Sequence, residues 1–567
     1  MSFDYQRDYK ISPAYDRCIA YFCMEYAIHQ SLKLYAGGLG FLSGSHLRSA
    51  YALRQNMIGI GILWKYGYYD QVRKPDQTMD VLYMEKLYGY LERTDIRFTI
   101  RINNHDVHVV VWYLPPEVFK TAPLFLLSTD SDENDYLAKT ISHNLYSSNP
   151  ETSAAAAILL GAGGARLLEH LNIEPDVYHL NENHGLPLAF YLLNRFRDLN
   201  AVKKRLLFTN HNPEPPGSKM ADIFMLDKIG FFCGLPMEDV RKVTGESGHI
   251  LDLPLTAFRM AGLANGVSKA HAATLNKLWG ARKDICEISS VTNAQCFNYW
   301  SDDEMYKAVW NENFDLFGDR KRKCKKKLFE EVADQNGEMY DPQVLTIVFA
   351  KRFANYKRPD LLLRNMDRFD KIVNNRERPV QVIWAGKPYP MDYNNIAVFN
   401  KVVEACKLYS NCSILVGYEL KLSKLLKAGA DVWLNVPRLG QEASGTSGMS
   451  AAMNGAVNVS IPDGWFPEFI RDQENGFTIK PAKPSPHVYE QDDEDANNMY
   501  DLLEEVVIPM YYNDPIRWQS IVAQSMQDVM CAFDSERMVI EYYNLLYSRL
   551  NEPASIKSIE IANSTSP

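Results

Sequence analysis

Asp431-Val-Trp-Leu-Asn-Val-Pro-Arg-Leu-Gly-Gln-Glu-Ala-Ser-Gly-Thr-Ser-Gly-Met-Ser-Ala-Ala-Met-Asn-Gly455 reads as one strand, loop and helix. Val432-Trp433-Leu434 is an apolar run of strand type, and an Ala/Met segment of helical character closes the stretch. Between them runs Glu442-Ala443-Ser444-Gly445-Thr446-Ser447-Gly448-Met449, small residues with one carboxylate at the mouth. Small side chains let a backbone approach a ligand closely, and the first N–H groups of a helix lack internal partners. The loop therefore suits an anion or a polyol. A Gly/Ser-rich loop alone is usually an ordinary turn, so its meaning rests on what the rest of the chain brings to it.

Working upstream, Leu422 to Ala430 has helical spacing, and Ser413 to Gly417, Val380 to Gly386 and Val344 to Ala350 read as buried strands. Lys387 ends the second of these. The last runs into Lys351-Arg352-Phe-Ala-Asn-Tyr-Lys357-Arg358, four cations within eight residues. Crowding like charge at a strand end is costly unless an anion compensates it, and a phosphate or pyrophosphate is the natural partner.

The N-terminal half repeats the pattern. Cys18 to Met24 is a strand ending at Glu25; Tyr35-Ala-Gly37-Gly38-Leu-Gly40 is a glycine-rich loop before helical spacing from Phe41 to Arg54. Ile58 to Gln71 is a buried strand with an aromatic, polar tail, suited to sugar rings although core stacking is the commoner outcome. Leu87 to Pro115 alternates and predicts antiparallel strands; Ala154 to Leu171 predicts a helix. Strands at Val177 to Leu180 and Leu206 to Thr209 end in Asn181-Glu-Asn-His184 and Asn210-His211-Asn-Pro213, where open α/β sheets hold ligands. Met260 to Leu278 predicts a single helix carrying Asn265, and Val291 to Cys296 a segment crossing between two halves. The basic run Arg320 to Lys327 reads as a solvated helix face near a domain boundary. Amphipathic helices follow from Asp501 to about Leu550, with a frayed tail after Glu552.

At 567 residues the chain suits two to four domains, and 46% hydrophobic residues supply large cores. A net charge of -9 argues against nucleic acid or an anionic membrane as the main partner. Nine cysteines without a CxxC pair suggest neither a disulfide framework nor a zinc site, and a reducing cytoplasm is expected. The polar first ten residues predict no signal peptide, and Ala154 to Ala165 is too short and glycine-broken to span a bilayer. The expected divisions are an N-terminal domain over 1–290, linker helices over 291–340, a second domain over 341–530, and a C-terminal helix with tail over 531–567.

Two α/β units with polar strand ends predict facing Rossmann-like domains around a cleft, hydrogen-bonding groups on one wall and cations on the other. That pairing suits glycosyl transfer with a phosphate leaving group. The chain resembles the glycogen/α-glucan phosphorylases, especially their short bacterial and archaeal branch, over residues 20–480. The resemblance rests on Ala36-Gly-Gly-Leu-Gly40, Gly59-Ile-Gly-Ile-Leu-Trp-Lys-Tyr-Gly-Tyr68, His179-Leu-Asn-Glu182, Thr209-Asn-His211, Asn265-Gly-Val267, Tyr356-Lys-Arg358, Ala385-Gly-Lys387, Ala428 to Asn435 and Glu442-Ala-Ser-Gly-Thr446.

The resemblance implies the two-domain GT-B architecture and retaining transfer of glucose between an α-1,4-glucan or maltooligosaccharide and phosphate. It implies catalytic roles for His211, Arg352, Lys357 and Glu442, with Arg352 and Lys357 on the substrate phosphate. Sugar contacts would come from Gly38, Asn265, Ala443, Ser444, Gly445 and Thr446, and cofactor- or donor-phosphate contacts from Gly37, Lys351, Ser447, Gly448 and Ser450. Ser450 stands where the family carries the lysine that binds pyridoxal phosphate (PLP) as an imine, so PLP is expected to be held non-covalently at most. Asn183, and Asn293 to Cys296, also depart from the family pattern. The alternative is a PLP-independent enzyme using UDP- or ADP-glucose on the same cations, and a third reading is a non-catalytic glucan-binding regulator. No metal is expected, and a homodimer is expected by resemblance.

Overall fold

The structure, a computed structural model, describes residues 3, 5, 9–213, 215 and 218–550. Two large sheets organise it. The first is built from β1 (Ile19–Phe22), β2 (Met57–Ile62), β3 (Glu92–Ile102), β4 (His105–Leu114), β5 (Leu124–Ser128), β6 (Val177–Asn181), β7 (Leu206–Thr209), β8 (Leu263–Gly266) and β9 (Glu287–Ser290), in the order β9-β8-β7-β6-β1-β2-β5-β4-β3. Its strands run parallel from β9 to β5. β4 and β3 close the edge as an antiparallel hairpin turning at Asn103 and Asn104, both with positive φ, as a two-residue hairpin loop requires.

The second sheet holds β10 (Leu345–Ala350), β11 (Val380–Ala385), β12 (Cys412–Leu415), β13 (Val432–Asn435), β14 (Val457–Ser460) and β15 (Phe477–Thr478). All its pairs are parallel, and the order β12-β11-β10-β13-β14-β15 reverses direction between β10 and β13. The fold is thus mixed α/β with two sheet regions of Rossmann-like design. Strands β10, β11 and β13 are buried along their whole length, because parallel strands are covered on both faces; their sequences are correspondingly mostly apolar, with one polar residue each at Thr346, Gln381 and Asn435.

Three expectations change. Met260 to Leu278 is not one helix: a helix ends at Met260, β8 carries Asn265, and a new helix spans Lys269–Trp279. A Cβ on Gly262 would fall 1.8 Å from the Lys203 carbonyl oxygen, so the chain passes there only as glycine. Ser268, in extended backbone, caps the new helix by accepting from the His271 N–H at 3.0 Å.

The basic run is only partly solvated. It lies in the helix Phe314–Asn336, where Lys321 and Lys325, one turn apart, point inward. Lys325 pairs with Asp431 at 2.5 Å and donates to the Val344 carbonyl, while Lys321 donates to the Ala428 and Asn454 carbonyls. The helix over 154–171 begins earlier, at Pro150, and contains a π turn at Leu159–Gly163, where Gly161 lies against the backbone of Gly185 and Leu188.

Residues 291–296 leave the first sheet, and the chain returns after the helix Pro515–Phe533. The passages are joined: Gln295 N–H donates to the Phe533 carbonyl at 3.1 Å and Ser535 N–H to the Gln295 carbonyl at 3.0 Å. The helix Ser535–Glu541 then packs on Gly38–Ala52, and Tyr547 OH meets His179 Nδ1 at 2.8 Å. The tail after Glu552 lies outside the described residues. Among the described residues no helix is long and apolar enough to cross a membrane.

Candidate active site between the two sheets

Each sheet contributes its strand ends at the point where strand order reverses, where an open α/β sheet leaves a crevice. In the second sheet these ends are Lys351-Arg352 after β10 and the loop from Val436 to Thr446 after β13. Glu442 and Lys357 form an ion pair, each side chain about nine-tenths buried. Burial opposes ionisation of Glu442, but Lys357 and then Lys351 outweigh it and hold the carboxyl below its ordinary pKa. Burial likewise opposes the charge on Lys357, and Glu442 returns it to above the usual lysine value.

Among the described residues Lys351 has no carboxylate of its own. Its Nζ donates to the Asn435 side chain, and burial, reinforced by repulsion from Lys357, lowers its pKa to about 7. Arg352 is exposed in the cleft, and the phenols of Tyr356, Tyr68 and Tyr146 lie around it. Among the described residues it forms no ion pair. Arg358 does not join this group. It is buried, bonded to Asp492 at 2.9 Å and Asp495 at 2.6 Å and to the carbonyls of Val436 and Pro437, so it anchors the loop instead of facing a ligand.

The loop after Glu442 is shaped by local constraints. Glu442 N–H donates to Asp463 at 2.9 Å, and Ser268 of the first half donates to the Ala443 carbonyl at 2.7 Å. Gly445 has φ of +84°, a conformation that costs little only for glycine. Ser444 Oγ is buried without a partner. Thr446 and Ser447 are partly exposed; Gly448 packs against Asn458 and Trp465. Ser450 has no exposed surface, and its hydroxyl donates back to the Thr446 and Ser447 carbonyls at 3.3 Å.

On the facing wall, Glu25 accepts from the N–H groups of Ala36 at 2.7 Å and Gly37 at 3.1 Å and from Tyr146 OH. The glycine loop therefore already serves an internal carboxylate. Space beside Gly37 and Gly38 remains open. His211 donates through Nε2 to Asn181 Oδ1 at 2.6 Å, and burial lowers its pKa to about 4 against the pull of Glu182, so the ring is neutral at physiological pH. Asn265 does not reach the cleft wall. It has no exposed surface, and its amide is used by Thr209, Gly266 and Tyr542.

Sequence reasoning left Glu182 out of the candidate site. Its carboxylate accepts from His211 N–H and Asn212 Nδ2, both at 3.0 Å, and faces Lys219 at 3.6 Å. Burial opposes its ionisation, but Lys219 and the two histidines lower its pKa to about 2. Its φ of +72° is uncommon for a residue with a side chain, and such strain gathers at ligand sites. Its place after a strand, and in the motif His179-Leu-Asn-Glu182, signalled it. Of the phenols around Arg352, Tyr356 and Tyr68 stand in stretches already singled out, and Tyr146 comes from a distant segment that carried no signal.

The two halves also meet directly. Lys387 donates to the Tyr69 carbonyl and pairs with Glu419, both at 2.9 Å, while Lys33 pairs with the other Glu419 oxygen. Tyr69 OH donates to the Pro388 carbonyl at 2.8 Å and Gln71 to the Gly386 carbonyl at 3.0 Å.

The chain's sequence relatives point to a family. A family model described as carbohydrate phosphorylase matches residues 300–481. The maltodextrin phosphorylase of Thermococcus litoralis is 32% identical over 95% of this chain and 71% of its own length. The chain belongs to the glycogen and maltodextrin phosphorylase family. Another family member, the glycogen phosphorylase of Aquifex aeolicus, is 30% identical over 96% of this chain and 88% of its own. An uncharacterised protein of Methanocaldococcus jannaschii is 43% identical over 93% of this chain and 99% of its own.

Proposed function

We propose that the chain is a retaining α-glucan glucosyltransferase of GT-B architecture that moves glucose between the end of an α-1,4-glucan and phosphate. On this reading residues 1–290 form the acceptor side, 291–340 the linker, 341–530 the donor side and 531–567 the closing segment; the enzyme works in the cytoplasm. The observation that carries it is the charge imbalance after β10: Lys351, Arg352 and Lys357 gather around one carboxylate, Glu442. A cleft built that way favours an anion, and the family supplies phosphate as that anion.

Arg352 and Lys357 would bind the phosphate and stabilise the charge that gathers on it as the glucosyl bond breaks, an effect of about 3–4 kcal/mol per well-placed donor. Glu442 would orient Lys357 and accept from a sugar hydroxyl. The neutral His211, fixed by Asn181, would offer its remaining ring nitrogen to the sugar. The contacts of Lys387 with the Tyr69 carbonyl and of Glu419 with Lys33, which join the two walls, would limit water.

Pyridoxal phosphate, which the family implies, finds no amine at Ser450, while Lys351 and the unpartnered Ser444 hydroxyl suit its polar groups. When bound, it supplies a phosphate that takes part in the transfer. Lys351 would hold that phosphate.

The test is an assay of purified protein with maltodextrin and phosphate, with and without added PLP, against UDP- and ADP-glucose. Phosphate-dependent release of glucose 1-phosphate is the expected result. Turnover with a nucleotide sugar alone overturns the phosphate reading, and glucan binding without turnover of any donor overturns the enzymatic one.

A further inference from the structure

Two cations from opposite halves share one ring where the halves meet. Arg48 stands on the helix Gly38–Ala52 of the first half, Lys424 on the helix Leu420–Gly429 of the second, and Tyr299 in the passage that joins them. The Arg48 guanidinium carbon lies 4.1 Å from the centroid of the Tyr299 ring, and Lys424 Nζ lies 3.5 Å from it. All three residues are partly exposed, so the place opens to water. Lys421, one turn before Lys424, is exposed, as is His29, which stacks on Phe119 and feels both cations.

What this place lacks is an acid. Among the described residues no carboxylate acts on Arg48, Lys424 or His29. Burial lowers the pKa of Arg48, and burial and then Arg48 lower that of Lys424 to about 8. The chain holds 70 acidic residues against 61 basic ones, so its composition does not account for cations left without a carboxylate. Elsewhere in the same seam Lys33 and Lys387 share Glu419. A ring face attracts a cation but carries no net charge to neutralise it. Donors are spare as well. Arg48 gives one N–H to the Phe119 carbonyl at 2.8 Å and one to the Ile28 carbonyl, which fixes its fork and leaves its other N–H groups unused among the described residues. Lys424 Nζ has no oxygen acceptor among them.

We propose that Arg48 and Lys424 bind a phosphate oxoanion, inorganic phosphate or a phosphate monoester, at a site apart from the cleft that fastens the two halves to each other. A tetrahedral oxoanion offers several acceptor oxygens, so one molecule takes N–H groups from the fixed guanidinium and from the ammonium together and removes their mutual repulsion. The site is remote from the cleft wall: ten residues of helix, about 15 Å, separate Arg48 from Gly38. It is nonetheless connected to the cleft on both sides. The helix of Arg48 begins at the glycine loop of one wall, and the helix of Lys424 begins directly after Glu419, which holds Lys33 of the first half. An anion bound here favours whichever arrangement of the halves brings Arg48 and Lys424 together, which is the one in this structure.

The experiment uses the full chain carrying Arg352→Ala, which weakens the cleft as a competing anion site, with inorganic phosphate and glycerol 2-phosphate as probes at constant ionic strength. Amide hydrogen exchange is followed over residues 38–52 and 420–429. At least one probe should slow exchange in both helices, and the probe that does so at the lower concentration identifies the source of the phosphate. Adding Lys424→Met should weaken that binding roughly tenfold or more, and Lys424→Arg, which keeps the charge, should preserve it. No protection by either probe, equal protection by chloride, or protection unchanged by Lys424→Met overturns the proposal. If Lys424→Met does not fold, the wild type decides: a bound probe should shield Lys424 from acetylation at pH 8, and unchanged labelling overturns the site. None of these readouts is turnover, so a chain inactive in glucosyl transfer leaves the proposal standing, and its failure leaves the transfer reading standing.

Discussion

Lys357 and Glu442, 85 positions apart in sequence, close an ion pair at the strand-order reversal of the second sheet. Because that carboxylate is committed to Lys357, the charges of Lys351 and Arg352 are left for a ligand. The pair thereby sets the polarity of the whole cleft.

Arg352→Ala removes the cation that projects into the cleft and forms no ion pair among the described residues. Transfer should fall by at least about a hundredfold, with the melting temperature nearly unchanged, since the side chain is exposed and forms no ion pair among the described residues. Activity and thermal unfolding measured together check this; wild-type turnover in the variant would remove Arg352 from the site.

Lys351 should make anion binding depend on pH. Its folded pKa of about 7 lies below the ordinary 10.5, so it is charged below pH 7 and loses its proton as pH rises through that value. Its burial favours unfolding most at low pH, and an anion reverses that penalty. Sulfate, a dianion throughout this range, should raise the melting temperature more below pH 7 than above it. Lys351→Met should lose that dependence; an equal sulfate effect on both sides of pH 7 counts against it.

Glu419 joins the two walls through Lys387 and Lys33. Burial opposes its ionisation, but the two ammoniums lower its pKa from 4.5 to about 2, so its contribution is complete above 4.5 and is lost as pH falls toward 2. Burial lowers the pKa of Lys387, which offsets part of the gain. Glu419→Gln should cost about 2 kcal/mol near neutral pH and flatten the acid limb of the stability curve. Urea unfolding at a series of pH values measures both effects.

Lys325→Met leaves Asp431 buried with only the Thr346 N–H as a named side-chain partner. Removing one member of a buried pair costs about 3–5 kcal/mol, so this variant should lose far more stability than Lys326→Met on the exposed face of the same helix. Equal melting temperatures for the two would mean that the pair contributes nothing.

Strand positions were legible because parallel strands covered on both faces leave long apolar runs, as in Leu345–Ala350 and Val432–Asn435. The polar strand ends that form the site were legible for the same reason. The strand at Leu263–Gly266 was not: it is short, holds alanine and asparagine, and is set by the tight passage of Gly262. The basic run misled because charge was counted without its period, which turns Lys321 and Lys325 inward. Arg358 resembled its neighbours in sequence, and only the carboxylates of Asp492 and Asp495, more than 130 residues away, assign it to the core. Asn265 was carried over from the family as a sugar contact, and its partner Tyr542 belongs to a late helix that no local pattern connects to it.

The paired crossing at Gln295 and Asp534 gives the molecule its pivot. With both covalent passages zipped together at one place, any opening of the halves would turn about that place. Lys33 on Glu419 and Lys387 on the Tyr69 carbonyl then act as a clasp, so opening the cleft would be governed by how readily that clasp releases.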